Sequence, residues 1–258
     1  MKPQLLAHTN REQLAAAAAA RLVTRIVDVQ SARDNAAVVL TGGGAGIAVL
    51  EHVRDSPARD AVDWAKLDIY WGDERFLPEG DPERNATQAF GALLDHVPVD
   101  PERVHVMAPS DGAFGDDPEA AAADYARILA ENATPEDHGA VPRFDVLMLG
   151  VGPEGHVASV FPESPAVYET EQSVVAVRNC PKPPPTRISL TLPAIRHAEE
   201  VWIVTDGAGK APAVAMALAG AGEVQLPAAG ALGTHRTLWL TDTKAAGKIG
   251  ERFTLPLA

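Results

Sequence analysis

The chain has little cysteine: one thiol, Cys180, in 258 residues. A single thiol excludes a disulfide framework and a metal site built from several thiolates, and it fits a reducing compartment. No basic amino-terminal segment leads into an apolar stretch, and no apolar run reaches the length of about 18 residues that a membrane span needs. We therefore expect a cytoplasmic protein without membrane association.

Positive charge is also scarce, because 22 lysine and arginine residues stand against 35 aspartate and glutamate residues, for a formal net charge of −13. Nonspecific binding to nucleic acid or to an anionic membrane requires a concentrated positive surface, so both are disfavoured. An anionic small molecule remains open, provided that basic side chains and backbone amides cluster around it. Isolated basic residues in glycine-rich or proline-rich loops are the candidates: Arg75, Arg187 and Lys210.

What the sequence does contain is a regular alternation of predicted elements. Asn10 and Gln13 resemble a helix cap, and the alanine-rich segment that follows predicts a helix to about residue 29. Short apolar runs predict strands at 37–40, 67–71, 104–107, 144–149, 174–177, 188–192, 201–204 and 238–240. Helices are predicted between many of them, at 45–53, 86–94, 118–131 and 209–218. This pattern predicts one α/β domain over residues 1–258, a three-layer fold whose mostly parallel, Rossmann-like sheet carries helices on both faces.

A glycine-rich turn follows the predicted strand 144–149 and ends in His156. Residues 150–155 spell G-x-G-x-x-G, but a dinucleotide site also needs a long helix after the turn, and Pro162 would end such a helix early. Because ligands collect beyond the carboxyl ends of strands in open sheets, His156 is a candidate general base. The alternative is a tight turn with an incidental histidine.

Other nucleophiles and histidines are weaker candidates. The chain has no G-x-S-x-G elbow, no H-E-x-x-H pair and no C-x-x-C pair, and Ser159, three residues after His156, has no elbow around it. The remaining histidines are expected at the surface or in the core: His8, His52, His96, His105, His138, His197 and His235.

The first predicted strand ends in a second glycine turn, residues 41–46, which contains Gly43 and Gly44. Successive glycines allow backbone N–H groups to converge on an anion at a helix amino terminus. No lysine follows as a nucleoside triphosphate loop requires. The alternative is a flexible strand-to-helix turn.

Charged residues follow the next strand, where Asp73, Glu74 and Arg75 precede Asn85 at a predicted helix start. Such a cluster often only solvates a loop. Since this loop leaves the same end of the sheet, we expect Arg75 to reach a shared phosphate while Asp73 or Glu74 orients it.

Two further basic residues lie at element boundaries. Arg187 stands where a proline-rich segment enters a strand, and Lys210 stands where a strand turns into a helix. A lysine at a helix start opposes the helix dipole, a conflict that a bound anion would relieve. The alternative for Lys210 is an ordinary solvent-facing side chain.

Together these segments resemble the 6-phosphogluconolactonases, which belong to a wider group with glucosamine-6-phosphate deaminase. The resemblance spans nearly the whole chain and rests on the order and spacing of residues 41–44, 71–75 with Asn85, 150–162, 183–187 and 207–210. Two positions depart from the family. Its first turn commonly reads Ser-Gly-Gly-Ser-Thr-Pro, whereas residues 41–46 lack the hydroxyls after the glycines, and its aspartate before Gly-His is Glu154 here.

The resemblance implies the NagB/RpiA/CoA transferase-like fold and hydrolysis of 6-phospho-D-glucono-1,5-lactone in the pentose phosphate pathway, without metal or cofactor. It implies His156 as general base for water beside Glu154, with amides of the turn at Gly152 and Gly155 stabilising the oxyanion. The residues implied to bind the substrate or its phosphate are Gly43, Gly44, Asp73, Arg75, Asn85, Arg187 and Lys210. The expected partner is a small phosphorylated sugar lactone, and the expected assembly is a monomer or weak homo-oligomer.

Two rival functions remain at this stage. Glucosamine-6-phosphate deaminases resemble this chain, but they usually have tyrosine where Arg75 stands and an Ala-Phe-Asn-Glu-Pro type sequence in place of residues 158–162. A noncatalytic sugar-phosphate sensor would keep Arg75, Arg187 and Lys210 but would not need a histidine in the glycine turn.

Overall fold

The computed structural model describes residues 2–137 and 139–249. Its strands are β1 (Gln4–His8), β2 (Ala36–Leu40), β3 (Leu67–Trp71), β4 (Asp73–Arg75), β5 (Val146–Leu149), β6 (Val174–Val177), β7 (Arg187–Leu190), β8 (Glu200–Thr205) and β9 (Arg236–Asp242). Its α-helices are α1 (Arg11–Arg33), α2 (Gly43–Asp55), α3 (Asn85–Ala92), α4 (Pro118–Asn132), α5 (Leu192–Ile195), α6 (Ala211–Leu218) and α7 (Pro227–Gly230).

Six strands form one parallel sheet in the order β1-β9-β8-β5-β2-β3. Successive side chains of a strand point to opposite faces, and here both faces are buried. In β5, Val146 and Met148 pack among residues of α1 and α2, whereas Leu147 and Leu149 pack among residues of α4. The predicted α/β fold with a mostly parallel sheet covered on both faces is confirmed.

Not every predicted strand joins that sheet. The segments predicted at 174–177 and 188–192 form β6 and β7, which pair antiparallel in a separate three-stranded sheet ordered β4-β7-β6. Residues 178–186 connect them, and this connection is shorter than the dozen or so residues that a parallel crossover needs. The small sheet is essential to the site because it brings β4 and β7 together at one end of the main sheet.

Local details confirm some sequence predictions and correct others. The Asn10 side chain accepts a 2.9 Å hydrogen bond from the Gln13 amide, so the predicted cap of α1 is correct. The predicted strand at 104–107 is wrong, because there Val104 makes only an isolated bridge to Ile69. Strand β1 was not predicted; it is a partly exposed edge strand that is held in the sheet by its pairing with β9.

Within the described part of the chain, no helix combines the length and apolarity needed to cross a membrane. The single domain over residues 1–258 and the monomer or weak homo-oligomer stay predictions.

Candidate active site

A cleft of about 180 Å³ lies where β2, β3, β5 and β8 end at the carboxyl edge of the main sheet. This is the edge at which open α/β sheets bind ligands. Eight of the predicted site residues line it: Gly43, Asp73, Arg75, Asn85, Gly152, His156, Arg187 and Lys210. Gly44, Glu154 and Gly155 are their neighbours in the same turns.

His156 is nearly buried, with 14% of its side chain exposed, and its ring lies 4.4 Å from that of Phe161 between centres. Its Nδ1 atom is 3.0 Å from Oε1 of Glu154, but the carboxylate is not aligned with Nδ1, so the two groups are in contact without a formed hydrogen bond. Burial, assisted by the charge of Lys182 and opposed by Glu154, lowers the pKa of His156 to about 4. The imidazole is therefore neutral at pH 7, the form that accepts a proton.

Two backbone amides of the glycine turn before His156 form hydrogen bonds within the turn. The Gly152 N–H donates to the His156 carbonyl at 2.9 Å, and the Gly155 N–H donates to the Gly152 carbonyl at 2.9 Å. The expectation that these two amides stabilise an oxyanion is wrong, because both donors are already engaged. Their role is conformational: Gly155 has a φ of 90°, and a Cβ atom on Gly152 would lie 2.0 Å from Nδ1 of His156.

The chain after His156 does not continue as a helix. Val157 and Val160 form an isolated antiparallel bridge instead. The helix that a dinucleotide fingerprint requires is therefore missing at this turn, as the sequence indicated.

The other glycine turn begins α2 without a side-chain cap. Gly42 is the N-cap residue and offers no capping oxygen, so the first-turn amides of Gly43, Gly44 and Ala45 have no acceptor within the helix. A 13-residue helix also concentrates partial positive charge at this end. The arrangement suits an anion, and the binding role of Gly43 and Gly44 stays a prediction.

Arg11, which the sequence did not single out, lies above this turn. A Cβ atom on Gly44 would be 3.0 Å from Nη2 of Arg11. The guanidinium is fixed by two hydrogen bonds to the Asp206 carboxylate, at 2.9 and 3.2 Å. The helix terminus therefore has a cation beside it as well as open amides.

The acidic pair after β3 has a structural role rather than the predicted one. Glu74 is buried and accepts hydrogen bonds from the amides of Asn85 at 2.6 Å and Ala86 at 2.9 Å, so it caps α3. Burial raises the pKa of Glu74, although Arg84 and these amides oppose the rise. The expectation that Asp73 or Glu74 orients Arg75 is wrong, because the Arg75 guanidinium donates to the Glu83 carbonyl.

Asp73 joins three segments at the floor of the cleft. Its carboxylate accepts from Ser159 Oγ at 2.7 Å and from Asn85 Nδ2 at 3.2 Å, and its carbonyl accepts from the same Nδ2 at 2.8 Å. Ser159 is fully buried, which is consistent with the view that it is not a nucleophile. The side-chain nitrogen of Asn85 therefore donates to Asp73 and is not free to donate to a phosphate.

The Arg187 guanidinium also uses most of its N–H groups within the protein. Its Nε donates to the Pro184 carbonyl at 3.2 Å, and its Nη2 donates to the carbonyls of Pro183 at 3.1 Å and Lys182 at 3.3 Å. Nη1 lies 3.9 Å from the Asp73 carboxylate. Only this last nitrogen is left to meet a ligand, so Arg187 first of all shapes the proline-rich loop.

The chain was compared with known proteins. A family model described as "Glucosamine-6-phosphate isomerases/6-phosphogluconolactonase" matches residues 9–239. The chain belongs to this family. A relative from Streptomyces coelicolor named 6-phosphogluconolactonase is 64% identical over 96% of this chain and 95% of its own length. One of the same name from Mycobacterium tuberculosis is 53% identical over 92% of this chain and 94% of its own length.

Solved structures of the glucosamine-6-phosphate isomerase/6-phosphogluconolactonase family have the same fold. A 6-phosphogluconolactonase from Trypanosoma brucei superposes with a TM-score of 0.80 at 26% identity, covering 96% of this chain and 99% of that one. A monomeric glucosamine-6-phosphate deaminase superposes with a TM-score of 0.75 at 19% identity, covering 95% of this chain and 99% of that one. The second likeness concerns the fold alone.

One residue near His156, Lys182, was not identified as a site residue by the sequence analysis. Lys182 lines the cleft, and its Nζ is 3.2 Å from Oε1 and 3.3 Å from Oε2 of Glu154. The available signal was a lysine inside the proline-rich segment 181–185 of an acidic chain. Burial and the charge of Lys182 lower the pKa of Lys210, which lies on the same rim.

Other features of the described chain do not form a competing site. A groove of about 540 Å³ runs between α1 and strands β1, β8 and β9. Two of its basic residues, Arg25 and Arg236, pair with Glu200, and the third, Arg21, donates to the Ala17 carbonyl at 3.1 Å. In residues 2–137 and 139–249, no group of three or more histidine, cysteine, aspartate or glutamate side chains is arranged to hold a metal ion.

The remaining histidines lie away from the cleft wherever the structure describes them. His8 contacts the Thr241 carbonyl, and His105 stacks on Tyr70. His138 lies outside the described residues. Cys180 is buried and forms no disulfide bond. Burial raises the pKa of its thiol, so it has little thiolate character.

Proposed function

We propose that this chain hydrolyses 6-phospho-D-glucono-1,5-lactone to 6-phosphogluconate, the lactonase step of the pentose phosphate pathway. The observation that carries the proposal is a neutral, nearly buried imidazole facing a cleft whose rim holds Arg75, Lys210 and the open end of α2. Relatives that are 64% and 53% identical over almost the whole chain bear the name of this enzyme. The substrate is accordingly a phosphorylated sugar lactone.

In the proposed mechanism, His156 acts as the general base. Nδ1 is buried against Glu154, which leaves Nε2 as the nitrogen open to the cleft. Nε2 takes a proton from water as the water oxygen bonds to the lactone carbonyl carbon. The tetrahedral intermediate then breaks its bond to the ring oxygen, and the imidazolium returns the proton to that oxygen, which becomes a hydroxyl group. General base catalysis of this kind contributes roughly 10²- to 10⁴-fold.

Glu154 supports the imidazolium that forms between the two proton transfers. Burial raises the pKa of Glu154, but its own backbone amide, His156 and Lys182 outweigh that effect and hold the pKa below its usual range. The carboxylate is therefore ionised at neutral pH, 3.0 Å from Nδ1. An ionised partner stabilises the positive charge that His156 acquires.

In this proposal the phosphate binds at the part of the cleft that is lined by Gly43, Arg75 and Lys210. The amides of Gly43 and Gly44, the Lys210 ammonium and the free part of the Arg75 guanidinium supply the donors. Hydrogen bonds to charged groups contribute about 1.5 to 3 kcal/mol each. These residues therefore act mainly on affinity, while His156 acts on turnover.

The test is a pH-followed assay of purified protein with freshly generated phosphogluconolactone, corrected for spontaneous ring opening. Acid release well above the spontaneous rate supports the proposal. Glucosamine 6-phosphate is assayed in parallel for ammonia release. Ammonia without lactone hydrolysis would assign the chain to the deaminases, and binding of 6-phosphogluconate without either reaction would indicate a sensor.

A further inference from the structure

Lys182 lies in the loop between β6 and β7, and this loop is held rigidly. Three carbonyls of the loop, those of Lys182, Pro183 and Pro184, accept hydrogen bonds from the Arg187 guanidinium. The Cys180 amide closes the loop by donating to the Pro185 carbonyl at 2.9 Å. Arg187 is itself buried at the start of β7. The backbone of Lys182 is therefore fixed even though 40% of its side chain is exposed.

The Lys182 ammonium and the His156 ring share one carboxylate. Oε1 of Glu154 is 3.2 Å from Nζ of Lys182 and 3.0 Å from Nδ1 of His156. The second oxygen, Oε2, is 3.3 Å from the same Nζ. The ammonium thus contacts both carboxylate oxygens, and the imidazole contacts the same carboxylate at Oε1.

A glutamate side chain has three rotatable bonds, and holding it in one rotamer costs conformational entropy. The Glu154 side chain is one-third exposed, so packing alone does not hold its carboxylate against His156. Both oxygens do contact Lys182, whose backbone the loop fixes. The ammonium is the cation that ties this carboxylate to a second element.

We propose that Lys182 is a positioning residue, which holds the Glu154 carboxylate against Nδ1 of His156 so that Nε2 faces the substrate. The inference rests on the proposed lactonase function. Lys182 touches the reacting atoms only through Glu154 and His156. Glu154 and His156 at the glycine turn therefore act together with a third residue, Lys182, from the loop between β6 and β7.

Charge supports the same assignment. His156 is faced by Glu154 and Lys182, by Asp73 and Arg75 from β4, by Arg187 from β7, and by Lys210 before α6. Burial is the main cause of its lowered pKa, and Lys182 is the next. Loss of the ammonium therefore removes a charge that lowers the histidine pKa. It also frees Glu154, whose carboxylate raises that pKa and favours the tautomer with a proton on Nδ1.

The experiment compares Lys182→Met with Lys182→Arg. Lys66→Met is the matched control, because Lys66 is also a partly exposed lysine that pairs with a carboxylate, at 2.6 Å from Asp34. Steady-state kinetics are measured with the phosphorylated lactone and with unphosphorylated D-glucono-1,5-lactone. The tautomer of the His156 ring is followed by NMR of its ring nitrogens in the free proteins, a readout that does not depend on any substrate.

For Lys182→Met we expect kcat to fall by about tenfold or more on both lactones, with KM changed by less than about threefold. The share of the Nδ1–H tautomer of His156 falls in the same variant, because Nδ1 loses its carboxylate partner. Lys182→Arg recovers most of the kcat, and Lys66→Met matches the parent in all readouts. An unchanged kcat, or an unchanged tautomer of His156, would overturn the proposal. So would a rise in KM restricted to the phosphorylated lactone, which would make Lys182 a phosphate ligand.

Failure of the proposed function gives a different result. In that case the parent protein does not accelerate hydrolysis of either lactone. The NMR comparison of the parent with Lys182→Met still reports whether Lys182 acts on His156.

Discussion

Gly152 lies directly beneath the His156 imidazole, so closely that a Cβ atom at position 152 would lie 2.0 Å from Nδ1 and 2.5 Å from Oε2 of Glu154. Atoms cannot approach to that distance, so any side chain at position 152 displaces the ring. The glycine at position 152 is therefore needed to leave space for the His156 ring, and the glycine pattern does not indicate dinucleotide binding.

The first prediction follows from that contact. Gly152→Ala moves the imidazole and the Glu154 carboxylate, so we expect kcat to fall by about tenfold to a hundredfold, since small displacements of a catalytic group have effects of this size. Steady-state kinetics check this. Gly91→Ala is the control, because Gly91 does not line the cleft and a Cβ atom there has no neighbour within 4 Å. Equal activity of the two variants would contradict the account.

A second prediction concerns Arg75. Its guanidinium lies on the rim of the cleft, and Nη1 donates a hydrogen bond to the Glu83 carbonyl. Arg75→Ala should raise KM for the phosphorylated lactone by about tenfold, the equivalent of losing about 1.4 kcal/mol, with a smaller effect on kcat. The exposed Arg178, which pairs with Glu119, is the control for arginine removal. A KM that stays at the parent value would remove Arg75 from the anion site.

The sequence sufficed to place the catalytic candidates because strand ends converge in a parallel sheet. Thr41, Asp73, Gly150 and Asp206 follow the strands β2, β3, β5 and β8 at one edge, and their neighbours line one cleft. That relationship depends only on strand order and direction, which the alternation of elements already indicates.

The hydrogen-bonding role of each group did not follow from the sequence. Whether the Gly152 and Gly155 amides are free depends on the internal bonds of a turn, and whether the Arg187 guanidinium is free depends on the path of residues 182–184. Lys182 was missed for the same reason. Its contact with Glu154 joins residues far apart in the chain.

The third prediction links the His156 pKa to stability. The folded-state pKa of about 4 lies below the ordinary value of 6.5, so between these values the unfolded chain binds a proton that the folded chain does not. Stability contributed by this residue is therefore full above about pH 6.5 and decreases as the pH falls toward 4. Urea unfolding of the parent and of His156→Gln across this range measures the effect.

The parent should lose unfolding free energy faster than His156→Gln as the pH is lowered through that window. Groups that do not contact His156 titrate alike in both proteins, so the difference between the two curves reports His156 and its partner Glu154. Parallel curves would mean that the imidazole is not kept neutral by the fold.

A fourth prediction concerns Ser159. Its hydroxyl is buried and donates to Asp73 at 2.7 Å, so Ser159→Ala should lower stability by about 1 to 3 kcal/mol while hydrolysis persists. Urea unfolding and the lactone assay are read on the same preparation. Loss of turnover by more than two decades in a folded variant would instead make Ser159 the nucleophile.

The most direct measurement is kcat of His156→Ala on freshly generated phosphogluconolactone, corrected for spontaneous opening. The account predicts a loss of about two to four decades in kcat with little change in KM, because His156 is not one of the proposed phosphate ligands. Folding of the variant is checked by its urea unfolding curve. A folded His156→Ala protein that turns over at nearly the parent rate would contradict the assignment of His156 as the general base.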